Sequence, residues 1–381
     1  MILKAGFFPA FLILVLLNAA DDSRPRQAIW VVRTSITTPE KVDRLLKFAE
    51  LNGYTDLFVQ VRGRGDAFYN SRLVPRSNRI PNEFFDPLAA IISGAHAREI
   101  RVHAWVNVYM AWSARQLPRD PNHIINRHPD WVETNSRGES DLDLIAGNGR
   151  NGREGIYLSP VHPDVREHLL AVFHEIITNY RVDGLHLDYV RFQDRDYGYN
   201  RTSRKEFLMR HSVDPITLGN PNGSYWYRMD DTDKEHYWDR WNDFRRDGVT
   251  SLVRELRTMI DLEAPGVVLT AAVKPNPKAA QTRYFQDWPT WLRTGLLDAA
   301  IPMNYAKEAR DFENNLYLIE QENLDTKRIY MGIATYNQTS VQSADKILRA
   351  KRSGYPDIVV FSYETYVEDP RYFDALHRAL K

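Results

Sequence analysis

Short apolar runs alternate with longer stretches of helical periodicity along almost the whole chain. The apolar runs are rich in β-branched residues, and most are nearly continuous, as expected for parallel strands that are buried on both faces. Eight such runs occur, at residues 28–33, 55–61, 101–108, 182–188, 267–273, 297–304, 328–334 and 357–361. The pattern therefore predicts eight parallel strands.

Capping signals mark where the intervening helices begin. Thr38 and Asp86 are each followed by a proline, the usual order of an N-cap and the first helical residue, and His162 repeats this order. A long helix is predicted over residues 238–260. Later helices are predicted over residues 311–323, 341–353 and 370–380. Helical segments are thus expected between successive strands.

Strand and helix alternating eight times favour an α/β fold of the (β/α)8 type, a TIM barrel. We expect residues 21–381 to form this barrel as a single domain. An open doubly wound sheet is the alternative, but no dinucleotide-binding fingerprint follows the first strand. Two connections are long, residues 110–157 after the third strand and residues 189–237 after the fourth. Both follow the carboxyl ends of their strands, where barrel enzymes build active sites.

The amino terminus has the anatomy of a signal peptide. Lys4 precedes an apolar run at residues 7–17, and Ala19 and Ala20 are small residues suited to cleavage. The run is too short to span a membrane, which takes about 20 apolar residues. An uncleaved amphipathic anchor is the alternative. We therefore expect residues 1–20 to be removed from a secreted or periplasmic protein that has no stable membrane span.

Composition and charge exclude several classes of protein. The 50 basic residues balance 50 acidic ones, so no bulk positive field would attract a nucleic acid. Without cysteine there can be no lipoprotein anchor, thiolate metal site, iron–sulfur cluster or cysteine nucleophile. The sequence also lacks an H-E-x-x-H helix pair and a histidine cluster, so it predicts neither a metal nor another cofactor.

Polar residues recur where the predicted strands end. Side chains alternate along a strand, so Leu185 and Leu187 should face the helices while His186 and Asp188 point into the barrel. The same alternation gives a polar inward residue near the end of most strands. The set expected to ring one cavity is Arg62, Asn107, Asp188, Lys274, Asn304, Tyr336 and Glu364. For each of them, the alternative is a structural role, capping a helix or bonding loop backbone.

A polar ring that contains carboxylates suits the hydrolysis of glycosidic bonds. That reaction needs one carboxylic acid to protonate the leaving oxygen and a second carboxylate as nucleophile or base. We expect Asp188 to be the nucleophile and Glu308 or Glu364 to be the acid/base. Three nearby cations would hold a carboxylate charged or bind an acidic sugar: Arg62, Arg191 and Lys274.

Aromatic residues make up 12% of the chain, more than a core alone requires. Flat rings can cover the apolar faces of sugars, so a carbohydrate is the expected partner. Ordinary packing is the alternative for each candidate ring. The candidates are Trp105, Trp112, Trp226, Trp238 and Trp288.

Several sequence blocks carry a family resemblance. They are Gln60-Val-Arg62-Gly-Arg-Gly-Asp66-Ala-Phe-Tyr69, Val102-His103-Ala-Trp105-Val-Asn107, Tyr157-Leu-Ser-Pro160, Asp183-Gly-Leu-His-Leu-Asp188-Tyr-Val-Arg191-Phe192, Gln286-Asp287-Trp288 and Pro302-Met303-Asn304-Tyr305. Together and in this order, they resemble the glycosyl-hydrolase-like 10 family of glycoside hydrolases. The resemblance covers about residues 26–365, and the block that ends the fourth strand is its most specific part.

This resemblance implies a (β/α)8 barrel distantly related to retaining glycosidases, with Asp188 as a catalytic carboxylate. It also implies an exported protein that acts on a cell-envelope or plant glycan. His103 and His186 lie deeper in their strands, so core histidines that orient Asp188 are their alternative role. Motifs and polar ring together give the expected substrate-binding residues: Arg62, Asp66, His103, Trp105, Asn107, His186, Arg191, Lys274, Asn304, Tyr305 and Tyr336.

Two other functions are compatible with the same residues. A barrel that has lost its chemistry could bind a glycan without cleaving it. Alternatively, Lys274 could form a Schiff base with a carbonyl substrate, since desolvation activates a lysine inside a barrel. The arginines and carboxylates expected around Lys274 favour the hydrolase over the lyase.

Overall fold

The computed structural model describes residues 25–146, 153–219 and 228–381. The predicted signal peptide, residues 1–20, lies outside these ranges. Each of the eight apolar runs corresponds to one strand of a parallel sheet. The strands are β1 (Gln27–Val31), β2 (Asp56–Arg62), β3 (Arg101–Asn107), β4 (Gly184–Asp188), β5 (Val268–Val273), β6 (Ala299–Pro302), β7 (Met331–Ala334) and β8 (Ile358–Phe361).

The sheet is nearly closed into a barrel. Its strand order is β6-β5-β4-β3-β2-β1-β8-β7, so the first and last strands of the chain are neighbours. The remaining seam lies between β6 and β7. It is joined by two isolated parallel bridges, one from Ala300 to Ile329 and one from Met303 to Gly332. The predicted TIM-barrel fold is therefore confirmed.

Helices connect the strands and cover the outside of the barrel. Thr38 and Asp86 cap their helices as predicted, because each side chain accepts a hydrogen bond from a backbone N–H of the first turn. In the described ranges, no helix is long and apolar enough to cross a membrane. The helices are Pro39–Leu51, Pro87–His96, Ile124–Arg127, Asp141–Ala146, Pro163–Asn179, Arg201–His211, Asp231–Glu263, Pro277–Arg283, Trp288–Arg293, Ala309–Glu320, Ser340–Arg352, Tyr363–Glu368 and Phe373–Leu380.

Side-chain alternation separates two apolar layers. Leu185 and Leu187 pack in the outer layer, between the sheet and the helices, as their spacing predicts. A smaller layer fills the barrel interior, where Trp30, Phe58 and Trp105 belong to one cluster of buried side chains. Burying a large apolar side chain stabilises a fold by roughly 1.5–3 kcal/mol. The inner layer therefore makes the barrel a packed core, closed below the carboxyl ends of its strands.

A buried ionic cluster occupies the amino-terminal end of the barrel. Asp56, at the start of β2, accepts hydrogen bonds from Arg26 at 2.9 Å, Arg101 at 2.8 Å and His103 at 2.8 Å. Burial alone would raise the pKa of Asp56, but the bonds from His103 and Arg101 hold it well below its usual range. Asp56 is therefore charged, and it joins the beginnings of β2 and β3.

The long connection after β3 folds back onto the barrel rim. Its residues Met110–Trp112 pair antiparallel with Ile156–Tyr157. This pairing returns the end of the connection to the carboxyl end of the barrel. Residues 147–152 of this connection lie outside the described residues, as do residues 220–227 of the next connection, which include the candidate ring Trp226.

Candidate active site

A cavity of about 590 Å³ opens at the carboxyl ends of the strands. In a (β/α)8 barrel, this is the end where catalytic residues gather. Strand ends, the segments that follow them and the returning loop after β3 all contribute to its wall. The lining residues are Trp30, Val32, Arg33, Gln60, Trp105, Asn107, Met110, Ser113, Glu154, Asp188, Tyr189, Arg191, Ala272, Lys274, Pro275, Met303, Tyr305, Tyr336 and Phe361.

Asp188 is the last residue of β4 and is held from two sides. Trp105 Nε1 donates a hydrogen bond to its Oδ2 at 3.1 Å, and the backbone N–H of Tyr189 donates to its Oδ1 at 2.8 Å. Tyr189 has a φ of 53°, a left-handed conformation that is rare outside glycine and is typically retained at functional sites. Burial raises the pKa of Asp188 to about 6, against the opposing charge of Arg191. This carboxyl group can therefore change its protonation state near neutral pH.

Glu154 is the second carboxylate of the cavity, and it is paired with two cations. Its Oε2 accepts hydrogen bonds from Arg191 Nη2 at 2.6 Å and from the Tyr157 hydroxyl at 2.5 Å. Its Oε1 lies 3.6 Å from Lys274 Nζ. Burial acts to raise the pKa of Glu154, but the charges of Arg191 and Lys274 outweigh it and lower the pKa to about 2. Glu154 is therefore ionised at every physiological pH.

Arg191 is fixed by aromatic rings as well as by Glu154. The side chain is almost fully buried, and its guanidinium lies 5.1 Å from the Tyr189 ring centroid and 5.3 Å from that of Tyr284. A cation over the face of an aromatic ring is attracted by the ring quadrupole. The position of Arg191, and through it that of Glu154, is therefore set by packing rather than by a loose surface ion pair.

Lys274 follows β5 and interacts electrostatically with both carboxylates of the cavity. Burial, with the nearby charge of Arg191, lowers its pKa to about 8. The backbone at this residue is anchored on both sides, since Gln286 accepts from its N–H at 2.9 Å and Trp288 donates to its carbonyl at 3.2 Å. Lys274 is thus mainly protonated at neutral pH and adds positive charge next to Glu154.

Aromatic rings form the opposite side of the cavity. Tyr305 stacks on Phe361, with ring centroids 5.5 Å apart, and meets Tyr336 edge to face at 6.2 Å. Tyr336 keeps 63% of its surface exposed although it lines the cavity, so its ring is accessible at the rim. An exposed ring beside charged and polar groups is a suitable platform for the apolar face of a sugar.

Half of the fourteen site residues predicted from the sequence converge on this cavity. The structure brings together the two chemical types that a glycosidase needs, a carboxylate and a surrounding set of polar and aromatic side chains. The predicted residues that line the cavity are Trp105, Asn107, Asp188, Arg191, Lys274, Tyr305 and Tyr336.

Arg62 was expected in the same ring, but it lies outside this cavity. The alternation along β2 breaks at a bulge, where Gln60 pairs with Trp105 while Arg62 pairs with Val106. Neighbouring side chains of a parallel pair point to the same side, and Val106 packs in the outer apolar layer. The extra residue therefore turns Arg62 away from the barrel interior.

The two glutamates expected to act as acid/base are also placed elsewhere. Glu308 is exposed at the start of the helix Ala309–Glu320. Glu364 accepts hydrogen bonds from the backbone N–H of Val32 at 3.0 Å and from Ser35 Oγ at 2.7 Å, and it lines a different, smaller cavity. Both residues follow strands in the sequence, but neither lines the cavity that contains Asp188.

The remaining predicted residues have structural partners away from the cavity. His103 binds Asp56, and His186 accepts from Trp30 at 3.0 Å while its other nitrogen bonds Thr270 at 2.9 Å. Neither histidine contacts Asp188, which Trp105 orients instead. Asn304 donates to the carbonyl of Phe312 in the next helix, and Asp66 accepts from the backbone N–H of Arg64. Each of these residues therefore has a structural role in place of the predicted contact with substrate.

Glu154 is not among the residues that the sequence predicts for the site, because it lies inside the long connection after β3 and not at the end of a predicted strand. Its placement depends on long-range contacts, such as the hydrogen bond from its own N–H to Gln193 at 2.7 Å. Of the other predicted aromatic residues, Trp288 is fully buried and Trp238 lines a separate groove. Trp226 lies outside the described residues. No local signal distinguishes Glu154, which lies three residues before Tyr157 of the block Tyr157-Leu-Ser-Pro160 and away from the ends of the eight predicted strands.

Within the described ranges, no group of three or more His, Asp or Glu side chains is arranged to hold a metal ion. The cavity instead combines two carboxylates with three cations, Arg33, Arg191 and Lys274. Paired carboxylates with well-separated pKa values indicate general acid–base chemistry.

Residues 27–348 match the family described as glycosyl hydrolase-like 10. The chain belongs to the glycosyl hydrolase-like 10 family. Among its relatives is the glycosyl hydrolase YngK of Bacillus subtilis (strain 168), 26% identical over 326 residues, which are 76% of this chain and 55% of YngK. The glycosyl hydrolase DigH of Escherichia coli (strain K12) is 24% identical over 368 residues, 83% of this chain and 74% of DigH. The chain thus spans about half the length of YngK. The resemblance seen in the sequence is confirmed, and both relatives bear the name of the predicted enzyme class.

Solved structures agree with the fold. The glycoside hydrolase domain of PgaB (BpsB) from Bordetella bronchiseptica superposes with a TM-score of 0.65 at 12% identity, covering 94% of this chain and 99% of that domain. Alpha-L-fucosidase isoenzyme 2 from Paenibacillus thiaminolyticus has a TM-score of 0.64 at 12% identity, covering 94% of this chain and 49% of that one. At this level of identity, the likeness concerns the barrel architecture alone.

Proposed function

We propose that this protein hydrolyses O-glycosidic bonds in a poly- or oligosaccharide, with Asp188 and Glu154 as its catalytic carboxylates. The observation that carries the proposal is that both carboxylates face one cavity, at the carboxyl ends of the barrel strands. Their surroundings differ in charge, because Glu154 contacts two cations whereas Asp188 accepts only neutral N–H donors. Glycoside hydrolysis needs such a pair, with one member protonated and the other ionised.

The surroundings support a division of roles that differs from the expectation from the sequence. Glu154, with a pKa of about 2, has no proton to donate and is suited to attack the anomeric carbon. Asp188, with a pKa of about 6, can hold a proton in mildly acidic solution. We therefore assign Asp188 as the acid/base, where the sequence suggested a nucleophile, and Glu154 as the nucleophile in place of Glu308 or Glu364.

The proposed reaction retains the configuration of the sugar. Asp188 gives its proton to the leaving glycosidic oxygen as a Glu154 oxygen bonds to the anomeric carbon, and the bond to the leaving sugar breaks. Water then attacks the same carbon, Asp188 takes the proton of the water, and the bond to Glu154 breaks. Arg191 and Lys274 stabilise the Glu154 carboxylate when it is released. Tyr336 and Tyr305 lie where the apolar face of a sugar would stack.

We also propose that the protein acts outside the cytoplasm, because residues 1–20 have the pattern of a cleaved export signal. Protein recovered from the periplasm or medium of a producing bacterium should begin near Asp21. Recovery from the cytoplasm with Met1 still attached would contradict export without bearing on the chemistry.

The release of reducing ends from a panel of glycans tests the activity. The native protein should release product, and Asp188→Asn should lower the rate by about 10²–10⁴-fold, the usual contribution of acid–base catalysis. Glu308→Gln is the matched control, because this exposed residue lies outside the cavity. Saturable binding of a glycan by the native protein without any release of product would instead indicate a glycan-binding protein.

Activated substrates separate the roles of the two carboxylates. The dinitrophenolate group of a dinitrophenyl glycoside leaves without being protonated. Asp188→Asn should therefore still cleave this substrate, whereas Glu154→Gln should not. Azide added to Asp188→Asn should give a glycosyl azide with the configuration of the substrate, since it attacks the Glu154 intermediate. If Glu154→Gln keeps its activity on the activated substrate and Asp188→Asn loses it, the roles are the reverse of those proposed.

A further inference from the structure

A second cavity, of about 260 Å³, lies outside the barrel interior, between the segment after β2, the connection after β3 and the helix Pro163–Asn179. It shares no lining residue with the candidate active site. Its ionisable lining consists of three arginines and two histidines, without an acidic side chain. These residues are Arg62, Arg72, Arg127, His128 and His168.

Arg62 is the most deeply buried of these five side chains. It is fully buried, and its Nη1 donates to the backbone carbonyls of Asn107 and Val108. Its Nε and Nη2 are buried without any hydrogen-bond partner among the described residues. A buried charged group with unmet donors is costly, because water no longer solvates it. The free face of this guanidinium therefore needs a negatively charged partner.

The protein supplies little negative charge at this position. Asp66 interacts electrostatically with Arg62, but the Oδ1 atom of Asp66 accepts a hydrogen bond from the backbone N–H of Arg64. Glu175 accepts from the backbone N–H of Arg72 at 2.6 Å and does not line the cavity. Burial and the charges of Arg62, His128 and Arg127 lower the pKa of His168 to about 4. His168 is therefore neutral at pH 7, and an added anion would offset the charges of the arginines.

We propose that this cavity binds an oxyanion of the phosphate class, either free or as the terminal group of a phosphorylated sugar. The guanidinium of Arg62 offers two donors in the fixed geometry that suits bidentate contact with such an anion. Arg72 and Arg127 are exposed at the opening, and no described residue accepts a hydrogen bond from either side chain. The cavity is small for a larger ligand, which typically occupies about 300–1,000 Å³. The site is independent of the proposed hydrolysis.

Calorimetric titration of the full-length protein with inorganic phosphate, in a buffer free of other oxyanions, tests the site. The native protein should bind phosphate saturably and gain thermal stability in its presence. Arg72→Ala and Arg127→Ala should each weaken binding by about tenfold, since each removes a charge-assisted contact. Arg310→Ala, an exposed arginine outside this cavity, is the control and should bind as the native protein does.

Arg62→Lys keeps the charge but removes the paired donors, so it should also weaken binding; if it does not fold, the two exposed arginine variants decide the result. Glucose 6-phosphate distinguishes the two sources of the anion. Tighter binding than inorganic phosphate assigns the site to a phosphorylated ligand, and equal or weaker binding assigns it to the free anion. Absence of saturable binding of phosphate and sulfate, or equal affinity in native, Arg72→Ala and Arg127→Ala proteins, would overturn the proposal.

Discussion

The pH dependence of hydrolysis depends directly on the roles assigned to Asp188 and Glu154. If Asp188 donates the proton, the free enzyme is active only while Asp188 is protonated and Glu154 is ionised. Their pKa values of about 6 and about 2 place this window in the acidic range. The rate constant kcat/KM, which reports the free enzyme, should therefore fall above pH 6, by about tenfold for each further pH unit.

The substitution Trp105→Phe should shift the pKa of Asp188 in a known direction. The substitution removes the 3.1 Å hydrogen bond from Trp105 Nε1 to Asp188 Oδ2 and leaves an aromatic ring in place. A hydrogen bond to a charged group contributes about 1.5–3 kcal/mol, and one pKa unit corresponds to about 1.4 kcal/mol. Because the ionised form loses this bond, the pKa of Asp188 should rise by roughly one unit or more. The alkaline limb of the kcat/KM profile should therefore move to higher pH by the same number of pH units.

Trp291→Phe is the matched control for this experiment. It also removes one indole N–H bond from a fully buried tryptophan, but that bond goes to Thr250 at 3.0 Å, and Trp291 does not line the cavity. Profiles of kcat/KM from pH 4 to pH 9 on a substrate from the glycan panel would be compared for the three proteins. A native profile that rises through pH 6 would refute the reasoning, since it would mean that Asp188 acts in its ionised form. An unchanged limb in Trp105→Phe would show that this bond does not set the pKa.

Further predictions concern stability and sugar binding. Asp56→Asn breaks a buried ionic cluster and should lower the free energy of unfolding by about 3–5 kcal/mol at pH 7, while Asp43→Asn, on the surface, should change it by less than about 0.5 kcal/mol. Because the pKa of Asp56 is lower in the folded protein than in the unfolded chain, its contribution is present above about pH 4 and is lost on acidification. The gap between native and Asp56→Asn proteins in urea unfolding should therefore narrow below pH 4, and a constant gap would contradict this. Tyr336→Ala should raise KM several-fold with kcat nearly unchanged, because its exposed ring lies at the rim rather than at the carboxylates. A drop in kcat alone would place this ring at the reacting bond, and Tyr317→Ala, a second exposed tyrosine, is the control.

The part of the site that lies on strands could be predicted, because alternation is a local property of an extended chain. The orientation of β4 follows from the alternation of two leucines, Leu185 and Leu187, with His186 and Asp188. The same rule orients the neighbouring strands. Trp105 and Asn107 follow from it on β3. Alternation alone does not predict where a strand contains an extra residue. Arg62 points outward because of such a bulge after Gln60.

The sequence by itself determined the eight strands, the capped helices and the family, since these depend on local periodicity and on blocks of neighbouring residues. Tertiary structure decided which carboxylate joins Asp188. Glu154 reaches the cavity because Met110–Trp112 and Ile156–Tyr157 pair across the intervening connection. Glu308 and Glu364 follow strands as well, but their backbones lead them to a helix start and to the Ser35 hydroxyl. Contacts between segments far apart in the chain set these positions, so no local pattern could distinguish the three glutamates.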